Sequence, residues 1–284
     1  MRHKVDKAVF RRVLRELQWV FRRYPLHDTL SSWPNCLILH IPDIAIKHLI
    51  NALRFYEKEK DVLSEAETYI TLGKAYSLLN ETNSTKKCFK TAEDKLTLID
   101  DLAVLNSFKV DIATYYLVIK DTATALKMFE ETLKSDTAKI HVGAVYHNLA
   151  EINRARNNYE RSAEFFNKSI EAERDKKNIS GLILSQIGLA HVYILTQQYA
   201  KSQPLLLDAL QLARQNEMTI YQMDAEEALA ELYSLKGNAQ KAYRHLTEFH
   251  SLKDSVLNSE KIDQAMRLEI KYETEKKDQE IKLL

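Results

Sequence analysis

The sequence predicts an all-α fold: an α-solenoid of about five to six helix pairs, followed by a long C-terminal helix. Three observations predict it. Only five glycines and four prolines occur in 284 residues, fewer than a fold with many tight turns uses. A short pattern returns five times, as LGKAY at 72–76, IATYY at 112–116, LAEIN at 149–153, LAHVY at 189–193 and LAELY at 229–233. The last fourteen residues, KYETEKKDQEIKLL, carry no apolar side chain between Tyr272 and Ile281. Such a segment has nothing to bury on a core, so it reads as an extending helix.

The N-terminal segment is basic, with Arg2, Lys4, Lys7, Arg11, Arg12, Arg15, Arg22 and Arg23. Phe10, Val13, Leu14, Leu17 and Phe21 follow helical spacing, which predicts a terminal helix packed on its neighbour; a membrane-surface helix is the alternative. Pro34 interrupts the next stretch, so residues 24–41 are expected to be an irregular connection. Residues 43–60 read as the second helix of a degenerate first pair, with Ala45, Leu49 and Ala52 on one face.

The five full units follow. Their small residues are Gly73, Ala113, Ala150, Ala190 and Ala230, at spacings of 40, 37, 40 and 40. Twelve residues on stand Thr85, Ala125, Ser162, Ser202 and Ala242. Four further come Phe89, Phe129, Phe166, Leu206 and Leu246, and three beyond those Ala92, Thr132, Ser169, Ala209 and Phe249. Apolar residues at intervals of three and four make each half an amphipathic helix. The polar pairs Lys120-Asp121, Asn157-Asn158, Gln197-Gln198 and Gly237-Asn238 mark the turns between halves. A small residue lets the paired helices approach, and the bulky one fills the space beside the contact. One pair leaves an apolar face exposed and stacking covers it, which is the logic of a solenoid.

This order of residues resembles the tetratricopeptide repeat from about residue 61 to 252. The units run near 40 residues where the family has about 34, which longer helices would explain. HEAT-like repeats share the period but not the residue order. The resemblance implies a concave groove lined by the first helix of each pair, here through Lys74, Asp111, Thr114, His147, Asn148, Glu151, Arg154, His191, Asp224, Glu227 and Glu231. That set is polar and varied, as suits a protein or peptide ligand. The family's groove for C-terminal carboxylates uses Lys and Asn at positions that here read Ile70 and Lys74, then Val110 and Thr114. This departure argues against recognition of chaperone tails.

Nothing in the sequence points to catalysis. Nine histidines occur, but none sits in an HExxH motif or an i, i+4 pair, and the five- and six-residue spacings do not bring two rings to one helix face. Asp100-Asp101, Glu130-Glu131 and Glu226-Glu227 are adjacent, so their side chains diverge, and solvated faces account for them. Phosphate-binding and nucleophile motifs are not found. Cys36 and Cys88 match no metal or redox spacing and read as free structural thiols. No cofactor is implied. A net charge of +1 supplies no field for nucleic acid. Met1 opens no secretory signal.

The tail carries a second resemblance. LKDSVLNSEK (252–261), followed by RLEIKYETEKKDQEIKLL (267–284), is similar to the segment after the repeats in bacterial tetratricopeptide sensor proteins. Those continue into a membrane span and a histidine kinase, or into a helix-turn-helix output domain. The expected organisation is an N-terminal helix and degenerate repeat (1–60), five repeats (61–252) and a charged linker helix (253–284). The expected function is a non-catalytic sensory module that binds a protein or peptide and couples to two-component or transcriptional output. A cytoplasmic peptide-pheromone receptor and a passive assembly scaffold are the alternatives. The tail's thin stripe, Ile262, Met266 and Ile270, admits a homodimer through the C-terminal helix. Membrane contact would come only through a downstream segment. The resemblance implies a periplasmic, membrane-tethered region, whereas the sequence as it stands reads as cytoplasmic.

Overall fold

The computed structural model describes residues 40–135 and 141–258. Among them are eleven helices and no strand. They are α1 (His40–Glu59), α2 (Val62–Leu78), α3 (Thr82–Leu96), α4 (Leu102–Val118), α5 (Thr122–Ser135), α6 (Val142–Ala155), α7 (Tyr159–Asp175), α8 (Ile179–Leu195), α9 (Tyr199–Gln215), α10 (Thr219–Leu235) and α11 (239–258). The fold is all-α, a helical repeat of the solenoid class. The basic N-terminal helix, Cys36, the connection up to residue 39 and the tail from 259 lie outside the described residues. Residues 40 and 41, expected to be irregular, already belong to α1. Pro42 falls in its first turn, where a backbone N–H has no partner within the helix.

One turn type recurs. Among the described residues, eight connections place a single residue in the left-handed region: Lys60, Asn80, Lys120, Asn157, Lys177, Gln197, Glu217 and Gly237. In each, the N–H of the following residue reaches back five residues to a helix carbonyl, as Gln198 does to Tyr193 (2.7 Å) and Asp121 to Tyr116 (2.8 Å). This is the Schellman closure. The following residue then caps the next helix where it is Asp or Asn. Asp61 accepts from the N–H of Ser64 (3.1 Å), Asn178 from Gly181 (3.4 Å) and Asn238 from Lys241 (3.1 Å). One residue thus ends one helix and its neighbour starts the next. Helices of 17 residues, α8 and α9, account for the 40-residue unit there.

The chain divides into two compact units, Met1–Ile152 and Asn153–Leu284. In the first, α1 packs on α2, α2 on α3, and α4 on α5, while α2 also meets α4. Phe89 is wholly buried. A Cβ at Gly73 would stand 2.3 Å from its ring, and the ring also meets Tyr115 and Tyr116 at centroid distances of 5.9 and 5.7 Å. Ala113 and Phe129 repeat the small and bulky roles, both at 0% exposure. Removing one such ring from water is worth about 2–3 kcal/mol. Lys95 pairs with the buried carboxylate of Glu65.

In the second unit α7 packs on α8, α8 on α9, and α9 on α10, with α8 also against α10. Ile183, Leu206, Ala209, Leu229 and Leu232 centre its core. Phe166 is wholly buried. Here the close approach falls on Gly188, whose Cβ would lie 2.4 Å from the Phe166 ring. Two positions depart from expectation. Leu246 is 42% exposed, although its counterpart Leu206 is fully buried; no described helix covers that face of α11. Glu226, read as part of a solvated face, is 0% exposed. Glu227 beside it is exposed, so adjacency on a helix sends one carboxylate inward and the other outward.

Candidate ligand-binding face

The residues expected to line a groove sit on the first helices of the pairs, and each unit carries its own set. In the first unit Lys74 (α2) and Asp111 (α4) meet: Nζ donates to Oδ2 at 2.7 Å. The ammonium also stands 5.1 Å from the centroid of the Tyr115 ring. The pair is asymmetric, with 16% of the Lys74 side chain and 52% of the Asp111 side chain in contact with solvent. Burial, and then the Asp111 charge, push the Tyr115 hydroxyl well above its ordinary range, so this tyrosine stays a neutral donor or acceptor. The cluster offers a held cation and a half-open carboxylate above the buried ring of Tyr115.

Other residues of that set are spent within the fold. Thr114 donates to the carbonyl of Val110 (2.9 Å) and Asn148, itself buried, to that of Ala144 (2.9 Å). His147 and Glu151 on α6 are half-buried and engaged by neighbours. Ile70 and Val110, at the positions where a carboxylate clamp would need polar side chains, are buried.

In the second unit Arg154 and His191 are half-buried and engaged. Asp224, Glu227 and Glu231 share one face of α10 by their three- and four-residue spacing. Asp224 is half-buried, and Glu227 and Glu231 are exposed. Burial, reinforced by Glu227, raises the Asp224 carboxyl to about 7. None of the three makes an ion pair among the described residues. The face is acidic, unpaired and partly desolvated, and it suits a cation.

A second charged cluster lies on the opposite side of α10. Glu226 accepts from Arg214 Nη2 (2.7 Å) and pairs with His245 Nδ1 (2.6 Å). The His245 ring stacks on Tyr233 at 5.3 Å and 6°. Three helices, α9, α10 and α11, are thereby joined at one carboxylate. Sequence spacing did not disclose it, because its members stand 12 and 19 residues from Glu226. His245 is buried and His250 exposed, so those two rings face different surroundings. Among the described residues no group of His, Cys, Asp and Glu could hold a metal ion, and no helix is long and apolar enough to cross a membrane.

Residues 143–176 match the family model for the tetratricopeptide repeat, and this span falls on α6 and α7. A search of curated proteins finds no match. Among solved structures, BtubC (BKLC) from P. vanneervenii aligns at 15% identity over 76% of this chain and 92% of that one, with a TM-score of 0.65. Aspartyl phosphate phosphatase F from Bacillus subtilis aligns at 15% identity over 88% of this chain and 73% of that one, at 0.63. A Rap protein complexed with Competence and Sporulation Factor aligns at 15% identity over 76% of this chain and 71% of that one, at 0.56. These likenesses are ones of fold.

Proposed function

We propose that this tetratricopeptide repeat chain is a non-catalytic sensory and interaction module. It binds a peptide or protein on the face of its first helices and passes the event through its C-terminal helix to a signalling output domain. The observation that carries this reading is the α10 face, where Asp224, Glu227 and Glu231 stand together without a cationic partner among the described residues. Ionised Asp224, held partly out of water beside Glu227, is costly, and a Lys or Arg of a ligand relieves that cost. A charge-assisted hydrogen bond to Asp224 is worth about 1.5–3 kcal/mol, and pairs with the exposed Glu227 and Glu231 at most about 1 kcal/mol each. The ligand segment lying on α10 is therefore cationic. The Lys74–Asp111 pair supports a polar contact in the first unit. The membrane tether and output domain implied by the tail's resemblance belong to the same reading.

A second reading, a cytoplasmic peptide receptor, draws support from the likeness in fold to a Rap protein crystallised with Competence and Sporulation Factor. It shares the first reading's demand for a peptide on this face and differs in what the chain is attached to.

The test is selection of random displayed peptides on the immobilised full-length chain at pH 8, where Asp224 is ionised. Enrichment of Lys- and Arg-bearing peptides, lost with the double substitution E227K/E231K, is expected. Binders without a charge bias, or peptides that bind the double variant equally well, would overturn the assignment.

A further inference from the structure

We infer that the outward face of α11 is a self-association surface, on which a second copy of this chain lies antiparallel. In α9 the residues of this register are core: Leu206 is 0%, Ala209 0% and Leu210 5% exposed, under the cover of α8 and α10. Their counterparts in α11 are Leu246, Phe249 and His250. Leu246 is 42% exposed, Tyr243 73%, and Phe249 only half-buried. Ala239, Tyr243, Leu246, His250, Lys253 and Leu257 follow at intervals of three and four, so they form one stripe.

The chain does not fold its own next helix onto this stripe by the route used before. The turn after α9 is Asn216, Glu217 and Met218, with Glu217 left-handed. Forty residues on, positions 256–258 are still helical. The turn that would bring a covering helix back is replaced by continuing helix.

The stripe is complementary to itself in one direction. Antiparallel pairing that sets Leu246 against His250 of the second copy also sets Tyr243 against Lys253, and Ala239 against Leu257. Lys253 already rests over an aromatic ring, 5.5 Å from the Phe249 centroid, so a second ring extends a contact it makes. Small residues oppose large ones at the ends. Parallel pairing would bring Lys253 against Lys253. The stripe is ~30 Å long for a 20-residue helix and about 10 Å wide. It buries roughly 300 Å² per copy against the ~800 Å² of a stable interface. The dimer is accordingly weak and reversible.

This inference is independent of the groove and its ligand. Its test is sedimentation of the full-length chain over about 1–500 μM. The mass is expected to rise from 33.0 kDa toward twice that value. L246E should hold it at the monomer mass with unchanged helical circular dichroism. Y243K alters a residue 73% exposed, so folding is spared; opposing it to Lys253 should weaken association at least about tenfold. Adding K253E to Y243K should restore it. A wild-type chain that stays monomeric throughout, as it would if another protein or residues 259–284 were the occupant, overturns the inference. So does self-association unmoved by both L246E and Y243K, or a charge pair that fails to rescue.

Discussion

Replacing Gly73 by alanine sets two opposed effects against each other. Alanine in a helix interior is better than glycine by about 1 kcal/mol. At Gly73, however, the added Cβ would lie 2.3, 2.6 and 3.0 Å from three atoms of the Phe89 ring. That ring cannot easily yield: it is at 0% exposure, with Tyr115 and Tyr116 packed against it. Overpacking a rigid site costs about 1–3 kcal/mol, and three short contacts place this case at the upper end. The expected net loss is about 2 kcal/mol. Urea unfolding followed at 222 nm should show a lower midpoint with unchanged slope. The double variant Gly73→Ala with Phe89→Leu isolates the contact, and in that background the alanine should be neutral or favourable. An increase in midpoint for Gly73→Ala alone would refute the reasoning. Such an increase would mean that the approach of α2 to α3 relaxes to admit a methyl group, as in the repeats where Ala113, Ala150 and Ala190 occupy the same register at 0% exposure.

Three further outcomes are expected. The Asp224 carboxyl is raised from 3.8 to about 7, so the folded chain retains a proton that the unfolded chain releases; stability should fall as pH rises from about 4 to 7. Part of the residue touches water, so Asp224→Asn should recover about 1–2 kcal/mol at pH 8 and flatten that slope, as urea titrations across pH would show. Glu226→Ala should cost about 3 kcal/mol by leaving His245 and Arg214 without their carboxylate, whereas Arg214→Ala should cost ~1 kcal/mol or less, since 56% of that side chain is solvated; thermal melts of both variants decide it. Burial pushes the Cys88 thiol from 9.0 up to about 11, so its alkylation at pH 8, read by peptide mass spectrometry, should run about a hundredfold slower than after unfolding.

The helix pairs were legible because their code is local. A small residue and a bulky one at fixed offsets describe the same contact in Gly73 with Phe89 and in Ala113 with Phe129. The turns at Asn157-Asn158 and Gly237-Asn238 were legible for the same reason, since Asn and Gly accept left-handed backbone. Lys177 and Glu217 adopt it too, but their side chains announce nothing; their position in the repeat imposes it. Gly188 escaped notice because it stands two residues before the repeat's small position, Ala190, and opposes a ring from the preceding helix rather than from its own pair. Glu226 was misread as solvated because its environment is made by Arg214 and His245 on other helices. On the candidate face the sequence placed residues correctly on the first helices but could not tell which were spent. Asn148 and Asp224 look equally available in one dimension; in three, one amide is bonded to a carbonyl and the other residue's carboxylate waits beside Glu227.

Photo-crosslinking of a selected cationic peptide to the full-length chain tests the central claim most directly. With p-benzoylphenylalanine in place of Glu227 on α10, the peptide should be captured. With the same probe in place of exposed Asp208 on α9, it should not. Capture from position 208 and none from 227 would place the ligand on the second helices and contradict the account.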